Sequence, residues 1–433
     1  MTRLFLHKDA KKIPRRSSGP IHVWLYGNTP PYAHAARVGS QVLELAHRLT
    51  VRPSPAAMDF LSIAMAITAA DTFVLRGDAD DAWSRNFDIV LPLAEPKRWK
   101  ALQAPLEEAL RFLSSDRWSF DFKPGGVKPP SLPAIRRKRD VYDLSKVDCV
   151  SLFSGGLDSA IGTLDLLGAK RRPLLVSHSP GGDAKKQVAV ERRLPTECQR
   201  VSVNTYPTWS GADDDSMRTR SFQFVALGVL AAQAIAEFRG KKSIDLYVCE
   251  NGFIALNPPL TPRRMGSHST RTAHPHFLES MQELITAAKI PVRIVNPYVH
   301  KTKGEMAAVH AGTASFRAFA AETVSCGHWK RKNQQCGRCL PCLIRRAALH
   351  RAGIKDSTSY QSPNLQDVMK NPELRDDLVA VQSAIVREQS VERWVLKAGP
   401  LPAQPAARKA YFGVAERGLE ELAVFLRAEG FAL

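Results

Sequence analysis

The sequence predicts an α/β fold: a parallel five-stranded sheet with helices on both faces. Two observations support this prediction. Short apolar runs with the length and composition of strands alternate with helical segments between residues 148 and 313, which is typical of strands joined by right-handed crossovers. A small, polar turn follows the first run, and ligands of such sheets bind beyond the carboxyl ends of the strands.

Five runs are predicted as strands, at 148–153, 172–179, 200–206, 244–250 and 291–298. Helices are predicted between and after them, at 157–168, 183–193, 217–238, 275–289 and 303–313. The loop at Ser154, the turn after His178 and the turn after Glu250 should then share one rim of the sheet.

Further segments flank the predicted sheet, which occupies residues 141–320. Residues 1–140 are predicted to form an α+β N-terminal extension, a candidate partner-binding domain, which ends in a proline-rich basic linker. Residues 321–352 contain four cysteines, and residues 353–433 have apolar positions at helical spacing.

The composition is that of a globular protein with an anionic partner. Of 433 residues, 44% are hydrophobic and 24% charged, and no window approaches the ~18 to 20 uncharged apolar residues that cross a bilayer. The basic N-terminus does not resemble a secretory signal, so we expect a cytoplasmic protein without a membrane partner. The formal charge of +19 indicates nucleic acid, a nucleotide or an acidic protein surface as partner. The basic clusters fit solvated faces equally well: 11–16, 136–139 and 330–346.

The turn after the first predicted strand has the sequence SGGLDS, residues 154–159. Free amides in the first turn of a helix, together with its dipole, form an anion site. Glycines let phosphate oxygens approach the backbone, and serine hydroxyls add donors. Neither the Walker pattern nor the dinucleotide fingerprint is present. From these residues alone, a turn capped by Ser154 and a phosphate site remain equally open.

The turn resembles the SGGxDS signature of the PP-loop pyrophosphatase superfamily. This resemblance implies an adenine nucleotide alpha hydrolase-like fold over residues 141–320, in which the loop embraces the pyrophosphate end of ATP. The enzymes cleave ATP between its α- and β-phosphates. The implied ATP-binding residues are those of the loop: Ser154, Gly155, Gly156, Leu157, Asp158 and Ser159.

The four late cysteines are spaced C-x9-C-x2-C-x2-C, in a chain with an odd total of seven. Four thiolates at such spacing can close a tetrahedral zinc site, which would be structural because no position remains for water. An iron–sulfur cluster uses the same ligands and stays open. The other three cysteines fit inert core thiols. The predicted metal ligands are Cys326, Cys336, Cys339 and Cys342.

Three segments together resemble the 7-cyano-7-deazaguanine synthase (QueC) family of that superfamily, over about residues 148–352. The cysteine segment carries Thr323, Ser325 and Arg345 at the family's positions. The segment HKTKGEM, residues 300–306, resembles its T-K-x-E motif, and RSF at 220–222 resembles its R-N-x-x-F segment with Ser in place of Asn.

The resemblance implies an ATP-dependent C–N ligase. It would adenylate 7-carboxy-7-deazaguanine or a similar acid, release pyrophosphate and let a nitrogen nucleophile attack, giving an amide or nitrile. Lys303 would clamp phosphate or the substrate carboxylate, and Arg220 would be a weaker phosphate ligand. Asp158 would bind magnesium or orient the loop, Thr302 would contribute to ATP binding, and the cysteines would form a zinc knuckle.

Two segments depart from that family. The stretch SHSPGGDAKKQ replaces its substrate motif after the second strand, and a longer basic segment follows Glu250. The basic and imidazole side chains of the second segment are Arg263, Arg264, His268, Arg271, His274 and His276. In this pattern the chain resembles the QueC-like component of the Qat anti-phage system. The expected acceptor is then a partner protein from the same defence operon, with nucleic acid also open.

Two alternatives remain at this point. One is a transfer-RNA modifying PP-loop enzyme that adenylates and then thiolates, although the remaining cysteines form no clear catalytic pair. The other is a non-catalytic nucleotide-sensing subunit, against which the intact loop and Lys303 argue.

Overall fold

The structure is a computed structural model that describes residues 1–16, 19–129, 141–179, 182–214, 218–260, 271–329, 333–387 and 390–433. These residues form two parallel five-stranded sheets with helices beside them, followed by a helical C-terminal region. The predicted α/β fold is confirmed.

The first sheet belongs to the N-terminal extension and is more regular than the α+β arrangement predicted for it. Its strands are β1 (Thr2–His7), β2 (Ile21–Leu25), β3 (Ala36–Val38), β4 (Asn86–Leu93) and β5 (Arg117–Pro124). They are all parallel, in the order β3-β2-β1-β4-β5. The helices of this part are α1 (Val42–Arg48), α2 (Pro55–Phe73), α3 (Pro96–Ala101) and α4 (Gln103–Ser114).

The second sheet consists of the five strands that the sequence predicts. They are β6 (Cys149–Leu152), β7 (Pro173–His178), β8 (Arg200–Val203), β9 (Ile244–Tyr247) and β10 (Val292–Val295), in the order β10-β9-β6-β7-β8. All neighbours are parallel. The accompanying helices are α5 (Leu157–Gly168), α6 (Asp183–Glu191), α7 (Arg220–Arg239), α8 (Gly252–Leu256), α9 (Pro275–Ala287) and α10 (Lys303–Val309).

The C-terminal part is helical, as predicted. Its helices are α11 (Ala314–Ala320), α12 (Leu340–Arg351), α13 (Leu365–Lys370), α14 (Asp376–Val386), α15 (Val391–Leu396) and α16 (Pro405–Ala428). Helix α12 packs against both α10 and α16, and α16 also contacts α8. The last long helix therefore lies behind two short helices that follow strands of the second sheet.

The two sheets share one continuous hydrophobic core. Helix α2 packs against α7, and α4 packs against α9, so equivalent helices of the two units face each other. Counted from each unit's first strand, both sheets have the same strand order. Helices α2 and α7 are each long and apolar enough to cross a membrane by composition, but the apolar windows are 100% and 78% buried inside the protein. Their all-round apolarity is explained by this packing.

A buried ion-pair cluster joins the extension to the second sheet. The Asp116 carboxylate accepts hydrogen bonds from Arg76 and Arg85 at 2.8 and 2.9 Å. Asp71 accepts hydrogen bonds from both the backbone amide and the hydroxyl of Thr219, at 2.8 and 2.7 Å. Because Thr219 immediately precedes Arg220, the extension fixes the start of α7.

Candidate active site

The candidate site lies where the strand order of the second sheet reverses. Strands β6 and β9 are neighbours, yet the chain leaves β6 toward β7 and leaves β9 toward β10 on opposite sides. Such a reversal opens a crevice at the carboxyl ends of the two strands. The loop at 154–159 follows β6 and Glu250 follows β9, so the crevice brings together two of the predicted rim segments.

The loop backbone needs both of its glycines. Gly155 has a φ of +78°, and a Cβ there would lie 3.0 Å from Cγ of Gln187. A Cβ on Gly156 would lie 3.2 Å from Ser154 Oγ and 3.3 Å from the Val324 carbonyl oxygen. The left-handed conformation and the close approach together explain why side chains are absent at these positions.

No side chain caps the first turn of α5. Gly156 is the N-cap and no side chain caps the helix, so Ser154 does not have the capping role that was the alternative to a phosphate site. Instead, Ser154 Oγ accepts a hydrogen bond from the Gly156 amide at 3.2 Å and lies 3.2 Å from Ser159 Oγ. Uncapped amides and two hydroxyls together suit an anionic ligand.

A cavity of about 180 Å³ adjoins this loop. It is lined by most of the loop, by Lys303 and by residues next to the cysteine segment and after β9. Its polar and loop lining includes Ser154, Gly156, Asp158, Ser159, Glu250 and Lys303. Gly155 lies in the turn behind this surface and is not among the lining residues.

Asp158 and Lys303 form a buried ion pair beside the loop. Lys303 Nζ lies 3.0 Å from Asp158 Oδ1, and Asn251 Nδ2 donates to Asp158 Oδ2 at 2.7 Å. Burial raises the pKa of Asp158, but Lys303 and the neighbouring hydrogen bonds outweigh it, so the pKa lies below its usual value. Since both carboxylate oxygens are engaged, this arrangement fits the orienting role predicted for Asp158 better than direct magnesium binding.

Thr302 lies behind the cavity. Its hydroxyl accepts the Glu305 amide at 3.0 Å, and the Glu305 side chain accepts the Thr302 amide at 2.8 Å, which completes a capping box at the start of α10. The hydroxyl also bonds Glu421 of α16. Thr302 therefore orients Lys303, and a direct contact with ATP remains a prediction.

Arg220 lines a second cavity, of about 250 Å³, on the α7 side of the sheet. Its guanidinium lies 3.3 Å from Asp183 Oδ2, and apolar side chains form much of the wall. The two cavities meet at four residues: Ser154, Ser159, Cys249 and Glu250. The structure thus brings Arg220 to the same crevice as the loop, although not into contact with Lys303.

The described part of the basic segment after Glu250 packs against the extension. Arg271 donates to the Phe112 carbonyl oxygen at 2.7 Å and its guanidinium lies over the Phe112 ring. His274 is buried at the N-cap of α9, and burial lowers its pKa to about 3. His276 contacts the Phe112 ring edge-on. Arg263, Arg264 and His268 lie outside the described residues, as do the basic residues at 136–139 and 330–332.

The four cysteines converge as the spacing predicts. Their sulfurs lie within 4.8 Å of one another, with 3.9 Å between Cys336 and Cys342 and 4.0 Å between Cys339 and Cys326. Ligands ~2.3 Å from one tetrahedral zinc ion lie ~3.8 Å apart, so the set can hold zinc. Gly337 eases the turn with a φ of +80°.

The cysteine segment is fixed to the loop by its flanking residues. Arg345 is fully buried and donates to Thr323 Oγ1 at 2.5 Å. Gln335 accepts the Ser325 amide and donates to the Thr323 carbonyl oxygen, both at 3.0 Å. The Val324 amide then donates to the Gly155 carbonyl oxygen at 3.1 Å. A metal at the cysteines would therefore stabilise the wall of the cavity, without lying in it.

Comparisons with known proteins agree with this geometry. The family described as "Queuosine biosynthesis protein QueC" matches residues 272–353, which include Lys303 and all four cysteines. The 7-cyano-7-deazaguanine synthase of Brucella canis is 39% identical over 243 residues, covering 48% of this chain and 92% of the relative. The chain belongs to the QueC family. Brucella suis biovar 1 has a synthase with the same values, whereas the alignment with that of Brucella ovis spans only 37% of the relative.

About half of the chain lies outside the aligned QueC region. The sequence assigned no role to three residues that the structure places in or behind the site: Glu250 and Asn251 beside Asp158, and Glu421 behind Thr302. The turn after Glu250 was predicted on the rim because it follows the fourth predicted strand. Nothing in the sequence indicates that Glu421, 119 residues beyond Thr302, contacts it.

Proposed function

We propose that the protein adenylates a 7-deazaguanine carboxylate at the expense of ATP and then forms a C–N bond. The observation that carries this proposal is the SGGLDS loop, which leads into a helix that no side chain caps, with the buried Lys303–Asp158 pair beside it. Membership of the QueC family supports an ATP-dependent reaction of the 7-cyano-7-deazaguanine synthase type.

In the first half-reaction, the acid's carboxylate oxygen attacks the α-phosphorus and pyrophosphate leaves. The loop amides and the two serine hydroxyls would bind the pyrophosphate, and Lys303 would neutralise charge that develops on it. Magnesium supplies further charge neutralisation when it arrives with ATP. Asp158 and Asn251 hold Lys303 and the β9 turn in place. Arg220, on the wall of the second cavity, would bind an anionic group of the ligand.

In the second half-reaction, a nitrogen nucleophile attacks the acyl carbon and AMP leaves. AMP is a far better leaving group than the oxygen of the free acid, which is the purpose of the adenylate. One proton leaves the nitrogen as the C–N bond forms. Zinc at the four cysteines would stabilise the fold and take no part in these steps.

The finer proposal is that the acceptor is a protein amine or a nucleic acid and that the activity serves anti-phage defence. Its support is the resemblance to QueC-like defence proteins, the net charge of +19 and the N-terminal unit, which adds a second sheet. Residues 1–140 are proposed to bind the partner.

Thiolation of transfer RNA is a weaker candidate. Cys249 lines both cavities. Burial raises the pKa of its thiol to about 12. A thiol with so high a pKa is a poor nucleophile at neutral pH.

The test is incubation with ATP, 7-carboxy-7-deazaguanine and ammonia, with pyrophosphate and AMP measured and the product identified by mass. Lys303→Met should lower the rate at least about 100-fold, since charge-stabilising contacts of this kind are worth 10²–10³. Lys301→Met, which changes an exposed neighbour, is the matched control.

Release of ADP and phosphate, or equal rates in the two variants, would contradict the proposal. Addition of candidate partners from the same operon, followed by intact mass measurement, tests the finer claim. A mass increase of one deazaguanine acyl group on a macromolecule supports it, and free amide or nitrile alone refutes it.

A further inference from the structure

Glu250 lies at the junction of the two cavities. It lines both the cavity at the SGGLDS loop and the cavity at Arg220. Its backbone is held by Asn296, the residue after β10: its amide donates to Asn296 Oδ1 at 3.4 Å, and its carbonyl oxygen accepts Asn296 Nδ2 at 2.9 Å. These bonds fix the main chain of Glu250 at the point where the two cavities meet.

The Glu250 carboxyl lies directly beside that of Asp158. Asn251 Nδ2 donates to both, at 3.2 Å to Glu250 Oε1 and at 2.7 Å to Asp158 Oδ2. The shared Asn251 amide therefore places two carboxyl groups side by side, and Lys303 pairs with only one of them, Asp158. Two adjacent carboxyl groups that share one cation disfavour a second negative charge, so one of them is held protonated.

The surroundings decide which carboxyl carries the proton. Lys303 forms its ion pair with Asp158 at 3.0 Å, which keeps Asp158 ionised. Among the described residues that line the two cavities, the remaining charged or titratable groups are the Cys249 thiol, buried and neutral, and Arg220 across the second cavity. Burial and the Asp158 charge raise the pKa of Glu250 well above its usual value. A carboxyl that is largely withdrawn from water and lies next to a fixed carboxylate is held neutral in this way.

We propose that Glu250 acts as a neutral hydrogen-bond donor to an anionic oxygen of the ligand that crosses the junction, either a phosphoryl oxygen of ATP or the carboxylate of the acid. This inference rests on the proposed function. A neutral carboxyl avoids adding a second negative charge beside Asp158 where anionic ligands must bind. Its O–H can donate to the ligand, as a neutral carboxylic acid does in another oxyanion site.

The experiment compares Glu250→Gln, Glu250→Ala and Glu250→Asp with Glu237→Gln, which changes an exposed glutamate on α7. One arm measures ATP binding alone by calorimetry. The second measures acid-dependent exchange of labelled pyrophosphate into ATP. Both arms are run from pH 6 to pH 10, with thermal unfolding of every variant as the check on folding.

Glu250→Gln keeps an N–H donor and cannot ionise. We expect it to stay within about 3-fold of the unchanged protein at pH 7 and to lose the decline that the unchanged protein shows as pH rises through the Glu250 pKa. Glu250→Ala should fall at least about 30-fold. A loss of ATP affinity in the first arm identifies a phosphoryl oxygen as the acceptor. A loss confined to the second arm identifies the acid.

Equal damage in Glu250→Gln and Glu250→Ala would overturn the inference, because a charge or proton transfer would then be needed. An unaffected Glu250→Ala would overturn it as well. If the unchanged protein binds ATP but shows no exchange with any acid, the proposed function fails, whereas the first arm still decides whether Glu250 donates to ATP.

Discussion

Replacement of Glu421 by alanine should both destabilise the protein and slow its chemistry. The Glu421 carboxylate bonds the Thr302 hydroxyl, accepts the Gly304 amide at 3.2 Å and pairs with Arg351 at 2.7 Å. Arg351 is 40% exposed and can be solvated after the change. The buried Thr302 and Gly304 donors cannot, so each loses its partner.

An unsatisfied buried donor costs about 1–2 kcal/mol. Two of them should lower the free energy of unfolding by about 2–4 kcal/mol. Because Thr302 and Gly304 flank Lys303, the start of α10 should also shift, and we expect pyrophosphate release to fall at least about 10-fold.

The assays are urea unfolding and pyrophosphate release at saturating ATP. Glu420→Ala is the control, since Glu420 is 67% exposed and lies 3.7 Å from Arg427. If Glu421→Ala matches this control in both assays, the C-terminal helix does not hold the site and the reasoning is refuted.

Three further changes test other parts of the account. Gly155→Ala puts a side chain at a φ of +78° and should lower the free energy of unfolding by about 1–2 kcal/mol. It should also abolish most of the rise in melting temperature that ATP produces. Cys339→Ser should remove bound zinc, measured as metal per chain by elemental analysis, and should lower the melting temperature. Asp116→Asn should lower the free energy of unfolding by about 3–5 kcal/mol, because two buried arginines would lose their shared carboxylate. Hydrogen bonds from Arg85 and Arg76 outweigh burial and lower the pKa of Asp116, so its stabilisation should be lost as pH falls below the usual carboxyl range.

Each of these changes has a control or a contradicting result. Gly168→Ala adds a methyl group to open space at the end of α5 and should leave ATP binding unchanged. Cys198→Ser changes a cysteine far from the cluster along the chain and should keep the metal. An Asp116→Asn variant as stable as the unchanged protein would show that the shared carboxylate does not stabilise the ion cluster.

The second sheet and its loop could be predicted because local signals determine them. Each strand is a short apolar run, each crossover has helical spacing, and glycines are required where the loop turns and α5 begins. The cysteine ligands were predictable for the same reason, since a C-x2-C turn places two sulfurs close together. These features depend on residues near one another in sequence.

The parts that were missed lack a local signal or depend on contacts distant in sequence. In the described part of the extension, β1, β2 and β3 follow one another without an α-helix between them, so the strand–helix alternation that predicts a parallel sheet is missing there. Glu421 contacts Thr302 from the last helix. The neutral state of Glu250 depends on Asp158 and Lys303, which lie on two other elements.

The most direct test of the central claim is the transfer of ¹⁸O from the acid to AMP. If the acid's carboxylate attacks the α-phosphate at the SGGLDS loop, 7-carboxy-7-deazaguanine labelled with ¹⁸O in its carboxylate should give AMP that carries one ¹⁸O atom. Mass spectrometry of the nucleotide reads the result. AMP without ¹⁸O, or ADP in place of AMP, would contradict the account.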